Sequence, residues 1–395
     1  FGGTSVGSVE RIDAVAEIIK KASQSNRIVV VVSAMGGETN KLVNLAKNFS
    51  DNPDKREFDA LVATGETVSS ALLAMALHSK GLKAKSYSAS QISMRTTDSF
   101  SKAKILDVDA KKILEVLEED TIPIITGFQG ITETGDVTTL GRGGSDTTAV
   151  AIAAQVKAER CDIYTDVDGI YTTDPKIVPN AKKLDSITME EMLELAGQGA
   201  KVMQTRAVEF ANKYEVPVRV LSSFNEGTGT LISLKEDTME NALVSGIASQ
   251  KNQVKFTLHG VGDIPGTAFK ILGPISDAEV EVDVIVQNVS VDGKTDFTFT
   301  VSSEDQGTVN KVIQEMNDVE YKELIVNSDI AKVSLVGVGM RSQAGVASRA
   351  FKALSEKDVN IQIICTSEIK ITMVIDESLV DKAVKVLHEE FELDK

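Results

Sequence analysis

Residues 140–149, Leu-Gly-Arg-Gly-Gly-Ser-Asp-Thr-Thr-Ala, combine glycines with charged and hydroxyl side chains immediately before an apolar helical pattern. Glycine lets the backbone approach a ligand closely and adopt positive φ. The first turn of the following helix offers unpaired N–H groups, which suit a phosphate or a carboxylate. Arg142 adds a permanent cation with forked donors. A tight turn with Ser145 or Asp146 as N-cap would not require Arg142 and three glycines together, so the segment predicts an anion site.

A second glycine-rich turn, Phe1-Gly-Gly-Thr-Ser-Val-Gly7, also precedes a helical pattern, with an apolar face from Val9 to Ile19. Two such turns suggest that the chain binds two ends of a polyphosphate, or a phosphate and a second anion. Neither turn is a Walker loop, and no Gly-x-Gly-x-x-Gly follows a strand pattern. These differences disfavour a Rossmann dehydrogenase.

The composition is that of an acidic globular chain of two or three domains. Its 395 residues include 42 Lys and Arg against 58 Asp and Glu, a net charge of −16, so nucleic acid and anionic membranes are disfavoured as partners. Cys161 and Cys365 imply no disulfide framework and fit a cytoplasmic location. The three histidines offer no metal-ligand spacing, so we expect no metal held by protein side chains alone. We also expect no apolar run long enough to span a membrane.

Up to about residue 234, short apolar runs alternate with helical patterns. The runs predict buried strands at 28–32, 122–126, 162–165 and 216–221. The helical patterns cover residues 61–77, 107–117, 147–156 and 188–195. This alternation is typical of an α/β domain with a mostly parallel sheet covered by helices on both faces.

The remainder of the chain contains an internal repeat. A shift of 79 residues takes Gly266 onto Gly345 and Pro265-Gly-Thr-Ala268 onto Ala344-Gly-Val-Ala347. Each copy has the pattern strand, glycine turn, helix, strand, strand, which predicts two small α+β modules in tandem. The expected domains are residues 1–234, a linker at 235–244, a first module at 245–328 and a second at 329–395.

Six stretches stand in a fixed order along the chain: Phe1-Gly-Gly-Thr-Ser-Val6, Thr64-Gly-Glu66, Gly127-Phe128, Gly141–Asp146, residues 164–175 (Tyr-Thr-Asp-Val-Asp-Gly-Ile-Tyr-Thr-Thr-Asp-Pro) and Gly199-Ala-Lys201. Together they resemble the motifs of the aspartate kinases, members of the amino acid kinase superfamily, over nearly the whole chain. The two repeats resemble ACT modules, the amino-acid-binding units that such kinases carry. The resemblance implies an amino acid kinase fold, a mostly parallel sheet between helices, followed by two ferredoxin-like ACT modules.

The implied activity is phosphorylation of the β-carboxylate of L-aspartate by ATP with Mg²⁺, the entry to lysine, threonine, methionine and diaminopimelate synthesis. A β-carboxylate with a pKa near ~4 is ionised at neutral pH, so it needs no general base to attack phosphorus. Catalysis then reduces to positioning two anions and neutralising charge on the transferred phosphoryl group. Glycine turns, Arg142 and Lys201 suit that task without a catalytic histidine or cysteine.

The resemblance also implies roles for individual residues. Arg142 would hold a substrate carboxylate and Glu66 the substrate amino group, while a surface ion pair and a solvated or capping glutamate are the plainer interpretations. Asp146 would orient cations or serve as an N-cap, and Phe128 would line the pocket or only the core. The catalytic set is Gly2, Gly3, Asp146 and Lys201. The substrate set is Thr39, Glu66, Phe128, Arg142, Gly143 and Ser145. The nucleotide set is Gly2, Gly3, Thr4, Ser5, Thr165, Asp166, Tyr171, Lys176 and Lys201.

The family pattern begins with a lysine directly before the phenylalanine that is Phe1 here, and that lysine contacts phosphate. We therefore expect the chain that begins at Phe1 to be nearly inactive and the chain with the lysine restored to be active.

An effector site for lysine, threonine or both is expected at a seam between ACT modules, in a chain that forms a homo-dimer or tetramer. The residues assigned to it are Asp263, Pro265, Gly266, Ala268, Gln287, Asn360 and Ile361. Simple turn and cap roles for Asp263 and Asn360 stay open, as does a separate smaller subunit made of ACT modules. Another amino acid kinase, such as acetylglutamate or glutamate 5-kinase, and a non-catalytic amino-acid sensor are the alternatives. The paired repeats and the opening motif at Phe1 oppose the first, and the intact Glu66, Arg142, Asp146 and Lys201 oppose the second.

Overall fold

The structure is a computed structural model that describes residues 1–200, 202–234, 243–288 and 293–395. Lys201 and residues 235–242 of the predicted linker lie outside the described residues. The described chain divides into two compact units. Unit 1 holds Phe1–Tyr171, Lys183–Gly197 and residues 202–234, and unit 2 holds Thr172–Lys182, Gln198–Ala200 and the described residues from 243 onward.

Unit 1 has the predicted mixture of helices and short strands. Its helices are α1 Val9–Ser23, α2 Glu38–Lys47, α3 Lys55–Val62, α4 Thr64–Ser79, α5 Ala110–Glu118, α6 Gly144–Gln155, α7 Met189–Gly197 and α8 Thr205–Lys213. Its strands are β1 Val30–Val32, β2 Ala84–Tyr87, β3 Arg95–Thr96, β4 Ile105–Asp107, β5 Ile122–Thr126, β6 Gln129–Ile131, β7 Val137–Thr139, β8 Cys161–Thr165, β9 Ser186–Thr188, β10 Val218–Ser222 and β11 Thr230–Ser233. All eight predicted segments are confirmed to within a few residues, although the predicted helix at 61–77 is two helices.

The strands of unit 1 form three sheets. The order β1-β5-β2 is parallel throughout. The order β8-β10-β11-β9 is parallel except between β10 and β11, and β4-β3-β6-β7 is mostly antiparallel. The α/β class is thus confirmed, with the β-structure divided among several sheets.

Helix α1 illustrates how the sequence pattern becomes structure. The Ser8 hydroxyl accepts the N–H of Arg11 at 3.3 Å and so caps the helix. The predicted apolar face is buried at Ile12, Val15, Ala16 and Ile19 against Val30 and Val32 of β1 in one core cluster. The assignment of Val9 to that face was wrong, since this first residue of the helix is 68% exposed. Burial of such a face, more than local propensity, stabilises a helix of this length.

Helices α3 and α4 follow each other almost without a break. Residues Lys55–Ser79 are long and apolar enough, by length and composition alone, to cross a membrane, and half of their most apolar window is buried. Leu73 and Leu77 belong to the same buried cluster as β1 and β5. Core helices pass this test as readily as membrane helices, so the run is weak evidence for a span. The expectation that no apolar run reaches such a length was nevertheless wrong, because this core requires an apolar helix.

Unit 2 contains one sheet and four α-helices among its described residues. The strands are β12 Gly246–Gly262, β13 Ile285–Gln287, β14 Lys294–Ser302, β15 Glu323–Val336, β16 Ile363–Thr366 and β17 Lys370–Asp376, in the order β13-β14-β12-β15-β17-β16. The helices are α9 Thr267–Asp277, α10 Gln306–Glu315, α11 Val346–Ser355 and α12 Val380–Glu390. Gly266 and Gly345, equivalent in the repeat, cap α9 and α11 with φ of 95° and 96°.

Strand β12 is shared between the two repeats. Residues 246–250 pair with the second half of β15, whereas residues 253–259 pair with its first half and with β14. The pairing shifts at Lys251 and Asn252, where Asn252 has a φ of 58°. The sheet of the second repeat is therefore completed by the N-terminal part of a strand that belongs to the first repeat.

The core of the first repeat is aromatic. Phe256 and Phe299, on neighbouring strands, are fully buried and stack with ring centroids 5.4 Å apart. We expect Phe299→Ala to lower the free energy of unfolding of unit 2 by about 3–5 kcal/mol, because it removes a buried ring and leaves a cavity. Urea denaturation followed by circular dichroism measures this.

The matched control is Phe49→Ala, whose ring is 94% exposed and whose loss should change stability by no more than about 0.5 kcal/mol. Equal effects of the two substitutions would contradict the packing of Phe299.

Candidate functional site

The Arg142 turn, defined as residues 140–146, joins β7 to α6. Gly141 and Gly143 have φ of 77° and 68°, and the Gly144 N–H donates to the Gly141 carbonyl at 3.0 Å. A Cβ atom on Gly143 would lie 1.8 Å from Cγ of Gln204, so only glycine fits there. Gly143 occupies the N-cap position, and no side chain caps the helix. The interpretation of Ser145 or Asp146 as N-cap is therefore wrong.

Phe128 packs against the start of α6. A Cβ atom on Gly144 would lie 2.8 Å from the Phe128 ring, and one on Gly127 would lie 2.6 Å from Oγ of Ser145. Phe128 has a φ of 67°, a conformation that side-chain-bearing residues rarely adopt and that clusters at functional sites. The structure thus brings Phe128, Ser145 and the glycines of the Arg142 turn together. The Arg142 side chain is exposed, and no ion pair holds it within the described part of the chain.

The Phe1 turn, defined as residues 1–7, packs against the end of β8. The Gly2 N–H donates to the Tyr164 carbonyl at 3.0 Å, and the rings of Phe1 and Tyr164 stack at 4.6 Å. The fully buried Ser5 hydroxyl donates to the same carbonyl and accepts from Ser223 at 2.8 Å. Ser5 therefore holds the turn in place through its own hydroxyl.

Glu66, in the first turn of α4, is 3% exposed. Its Oε1 accepts the backbone N–H of Ala34 at 3.0 Å, while Oε2 is buried without a hydrogen-bond partner in the described structure. Burial raises the pKa of Glu66 to about 7, against the opposing effect of the Ala34 hydrogen bond. A solvated or capping role for this side chain is therefore wrong, and its free oxygen is suited to a cationic donor.

Asp146 is a second carboxyl group that forms no ion pair with a side chain in the described ranges of the chain. Burial raises the pKa of Asp146 to about 6. Two acidic groups with raised pKa values near two glycine turns are typical of a site that receives cations with its ligands.

A third glycine turn, residues 34–37, contacts both Glu66 and the Phe1 turn. It was not identified from the sequence. Ala34, whose N–H binds Glu66, follows β1, and Gly36 and Gly37 precede α2, where Thr39 lies half-buried in the first turn. A Cβ atom on Gly3 would lie 3.0 Å from the Ala34 carbonyl oxygen. The glycine pair directly before a helical pattern was the signal that could have identified this segment.

The predicted nucleotide residues fall into separate places. Thr165 ends β8, where its hydroxyl donates to Asp166 at 3.2 Å, and Tyr171 donates to Asp168 at 2.8 Å. Gly2, Gly3, Thr4, Ser5, Thr165, Asp166 and Tyr171 all belong to unit 1. Lys176 is exposed within Thr172–Lys182 of unit 2, and Lys201 lies outside the described residues.

The predicted effector residues lie in unit 2. Gln287 Nε2 donates to Asp263 at 3.4 Å, and the turn Pro265–Ala268 leads into α9. Asn360 and Ile361 directly precede β16, which is the opposite edge of the sheet from β13. One chain therefore does not bring the two sets together.

No group of three or more His, Cys, Asp or Glu side chains with metal-binding geometry occurs in the ranges that the structure describes.

Comparison with known proteins places these features in a family. The amino acid kinase family matches residues 1–222, and an ACT domain matches residues 333–391. The chain is 56% identical over 397 residues to the aspartate kinase Ask_LysC of Stutzerimonas stutzeri strain A1501, covering 100% of this chain and 96% of the relative. It resembles Escherichia coli aspartokinase III in complex with aspartate and ADP (R-state), with a TM-score of 0.85 and 28% identity over 99% of this chain and 98% of that one. The TM-score to the same enzyme with lysine and aspartate (T-state) is 0.78, again at 28% identity with 99% and 98% coverage.

The raised pKa of Glu66 makes stability depend on pH. Because the folded protein holds this proton up to about pH 7 and the unfolded chain releases it near pH 4.5, the free energy of unfolding falls as pH rises between those values. We expect Glu66→Gln to remove that fall. The free energy of unfolding of the variant, relative to that of the parent, should therefore increase by about 3 kcal/mol between pH 4.5 and pH 8. Because the chain lacks tryptophan, urea denaturation followed by circular dichroism is the measurement.

The exposed Glu133→Gln serves as the control and should follow the parent at every pH. Parallel stability curves for Glu66→Gln and the parent would show that Glu66 is not a desolvated acid.

Proposed function

The chain belongs to the aspartate kinase family, and we propose that it transfers the γ-phosphoryl group of ATP to the β-carboxylate of L-aspartate, giving 4-phospho-L-aspartate and ADP. The observation that supports this most directly is the buried Oε2 of Glu66, an acceptor beside two glycine turns that receives no hydrogen bond from the residues that the structure describes. A substrate ammonium group would supply that donor.

L-Aspartate offers one ammonium group and two carboxylates, and the site has complementary groups. Ammonium binding at Glu66 would stabilise the ionised carboxylate and lower the pKa of Glu66 from about 7. The exposed guanidinium of Arg142 suits a carboxylate, because its donors form a fork that matches two oxygens. Phe128 and Ser145 flank the same helix start.

Phosphoryl transfer then requires one bond exchange. A β-carboxylate oxygen forms a bond to the γ-phosphorus while the bond from that phosphorus to the bridging oxygen of ADP breaks, and no proton moves. The backbone N–H groups of the Phe1 turn and the start of α6 that are not already donated within the fold, as those of Gly2 and Gly144 are, suit the oxygens of the nucleotide and of the transferred group. Thr165, Asp166 and Tyr171 are proposed to hold the nucleotide, with Lys176 and Lys201 as cations.

Mg²⁺ is proposed to accompany ATP. Proteins commonly bind Mg²⁺ through one or two carboxylates together with substrate phosphates, so a cluster of three protein ligands is not required. Asp146, a desolvated carboxyl group at the start of α6, fits that chemistry. The ion would neutralise charge on the transferred phosphoryl group.

We also propose feedback control through unit 2 by lysine, threonine or both, in a homo-dimer or tetramer in the cytoplasm. Because Asp263 and Asn360 lie near opposite edges of the sheet, a site that uses both repeats requires a second copy of the chain. Ile264, Phe269 and Ile285 are exposed around Asp263, as expected of a surface that a partner covers. The E. coli enzyme solved with lysine and aspartate supports lysine as one effector to test.

Arg142→Ala in the full-length protein is expected to raise the aspartate KM and to lower kcat. Loss of a charged hydrogen bond to a carboxylate costs about 1.5–3 kcal/mol, so kcat/KM for aspartate should fall about tenfold to a hundredfold. Steady-state assays with aspartate and ATP varied in turn should show the ATP KM little changed.

Arg95→Ala is the matched control. Arg95 is exposed in the sheet whose strand β7 leads into the Arg142 turn, and it pairs with Asp107 at 2.9 Å. Unchanged aspartate kinetics in Arg142→Ala would exclude Arg142 from the substrate site.

Asp263→Ala is expected to relieve inhibition while leaving uninhibited kcat near that of the parent. If the effector favours a state that binds aspartate weakly, then aspartate must weaken effector binding by the same factor. The half-inhibitory concentration of the effector, first identified by a thermal-shift screen of lysine and threonine singly and together, should rise about tenfold or more.

Asp277→Ala, which removes an exposed carboxylate at the end of α9, is the control and should be inhibited like the parent. Inhibition of Asp263→Ala at the parent concentration, or a monomer with effector bound, would contradict this placement.

A further inference from the structure

Two segments support the Arg142 turn, residues 101–103 and residues 139–140. The Ala103 N–H donates to the Thr139 carbonyl at 3.0 Å, which pairs the segments side by side. The position of a Cβ atom on Gly141, 3.1 Å from the Ser101 carbonyl oxygen, shows how closely the turn rests on the first segment. Ser101 has a φ of 68°, which its neighbours must hold in place.

Asp59, on α3, binds the donors of both segments. Its Oδ2 accepts the backbone N–H groups of Ser101 at 2.8 Å and Thr139 at 2.7 Å, and its Oδ1 accepts their hydroxyl groups at 3.0 and 2.9 Å. The side chain is fully buried. Four donors compensate the desolvation of this carboxylate, and all four belong to residues that support the Arg142 turn.

Arg206, on α8, binds the acceptors of the same segments. Its Nη1 donates to the Leu140 carbonyl at 2.7 Å, and its Nη2 donates to the Ala103 carbonyl at 2.8 Å. Both bonds are charge-assisted and end on backbone oxygens. The planar guanidinium fixes the spacing of the two carbonyls in a way that a single ammonium nitrogen would not.

We infer that Asp59 and Arg206 are positioning residues that fix the backbone next to Gly141 so that Arg142 is presented to aspartate in one place. The two form a clamp in which the carboxylate takes the N–H and O–H donors of both segments and the guanidinium takes their carbonyls. This inference rests on the proposed role of Arg142 as the group that binds a substrate carboxylate. A shift of about 1 Å in such a group is enough to weaken catalysis strongly.

The test compares Arg206→Ala and Arg206→Lys with the parent in the full-length protein. The aspartate KM should rise about tenfold, equivalent to 1.4 kcal/mol, while the ATP KM changes less than about twofold. Guanidinium chloride at millimolar concentration should restore much of the aspartate affinity of Arg206→Ala, with sodium chloride at equal ionic strength as its control. A generally loosened protein would show neither the selective KM effect nor the rescue.

Arg349→Ala is the matched control. Like Arg206, Arg349 donates two hydrogen bonds from its guanidinium, here to the side chain and to the backbone carbonyl of Glu390 in unit 2, so its loss should leave the aspartate KM unchanged. If Arg206→Ala does not fold, as judged by circular dichroism, then Arg206→Lys and Asp59→Asn provide the same kinetic comparison.

A double-mutant cycle completes the test. If Arg206 acts through Arg142, the variant Arg142→Ala/Arg206→Ala should have an aspartate KM within about twofold of Arg142→Ala alone. Additive effects, or an unchanged aspartate KM in the Arg206 variants while Arg142→Ala raises it, would overturn the inference. An unchanged aspartate KM in Arg142→Ala would instead overturn the proposed role of Arg142, and this inference with it.

Discussion

The whole of the Arg142 turn depends on backbone segments that approach one another more closely than a Cβ atom would permit. Three glycines around the start of α6, at positions 127, 143 and 144, would each place a Cβ atom within 3 Å of a neighbouring side chain. Because the glycines remove that obstacle, a serine hydroxyl, an aromatic ring and an uncapped helix start share a small volume. The glycines therefore serve the site through the contacts they allow as much as through their own conformations.

Two buried carboxylates in unit 1 differ in their hydrogen bonding, and the difference distinguishes a group that supports the backbone from one that is suited to bind a ligand. Asp59 accepts four hydrogen bonds from the protein, which fill the acceptor positions of its carboxylate. Glu66 is almost as deeply buried, yet among the described residues only one of its oxygens has a hydrogen-bond partner. A protein that leaves a buried carboxylate oxygen without a donor carries a cost in stability that a ligand can remove, whereas a fully satisfied carboxylate has no oxygen left for a ligand and acts by holding the backbone around it.

The sequence predicts those parts of this structure that depend on local patterns. The apolar face of α1, the glycine turns at residues 1–7 and 140–146 and the equivalent caps Gly266 and Gly345 can all be read directly from spacing. The double pairing of β12, by contrast, depends on register between distant strands, and a repeat pattern does not reveal which copy receives a shared strand. The hydrogen bond from Ala34 to Glu66 also escaped prediction, because a backbone N–H carries no residue type to recognise. Arg206 resembles any helical surface arginine until its two carbonyl partners are known.

The division of the chain into units has a consequence for how such proteins can be recombined. The polypeptide passes between unit 1 and unit 2 at residues 171–172, 182–183 and 197–198 and returns to unit 1 after Ala200, well before the linker. Within unit 2 the Thr172 hydroxyl donates to the Leu393 carbonyl and lies 3.0 Å from His388 of α12. A gene fusion that exchanges everything after residue 234 would thus leave behind Thr172–Lys182 and Gln198–Ala200, matched to a C-terminal half that is no longer there. Functional chimaeras should arise only when these internal segments travel with the C-terminal half, because unit 2 is built from three separate stretches of the chain.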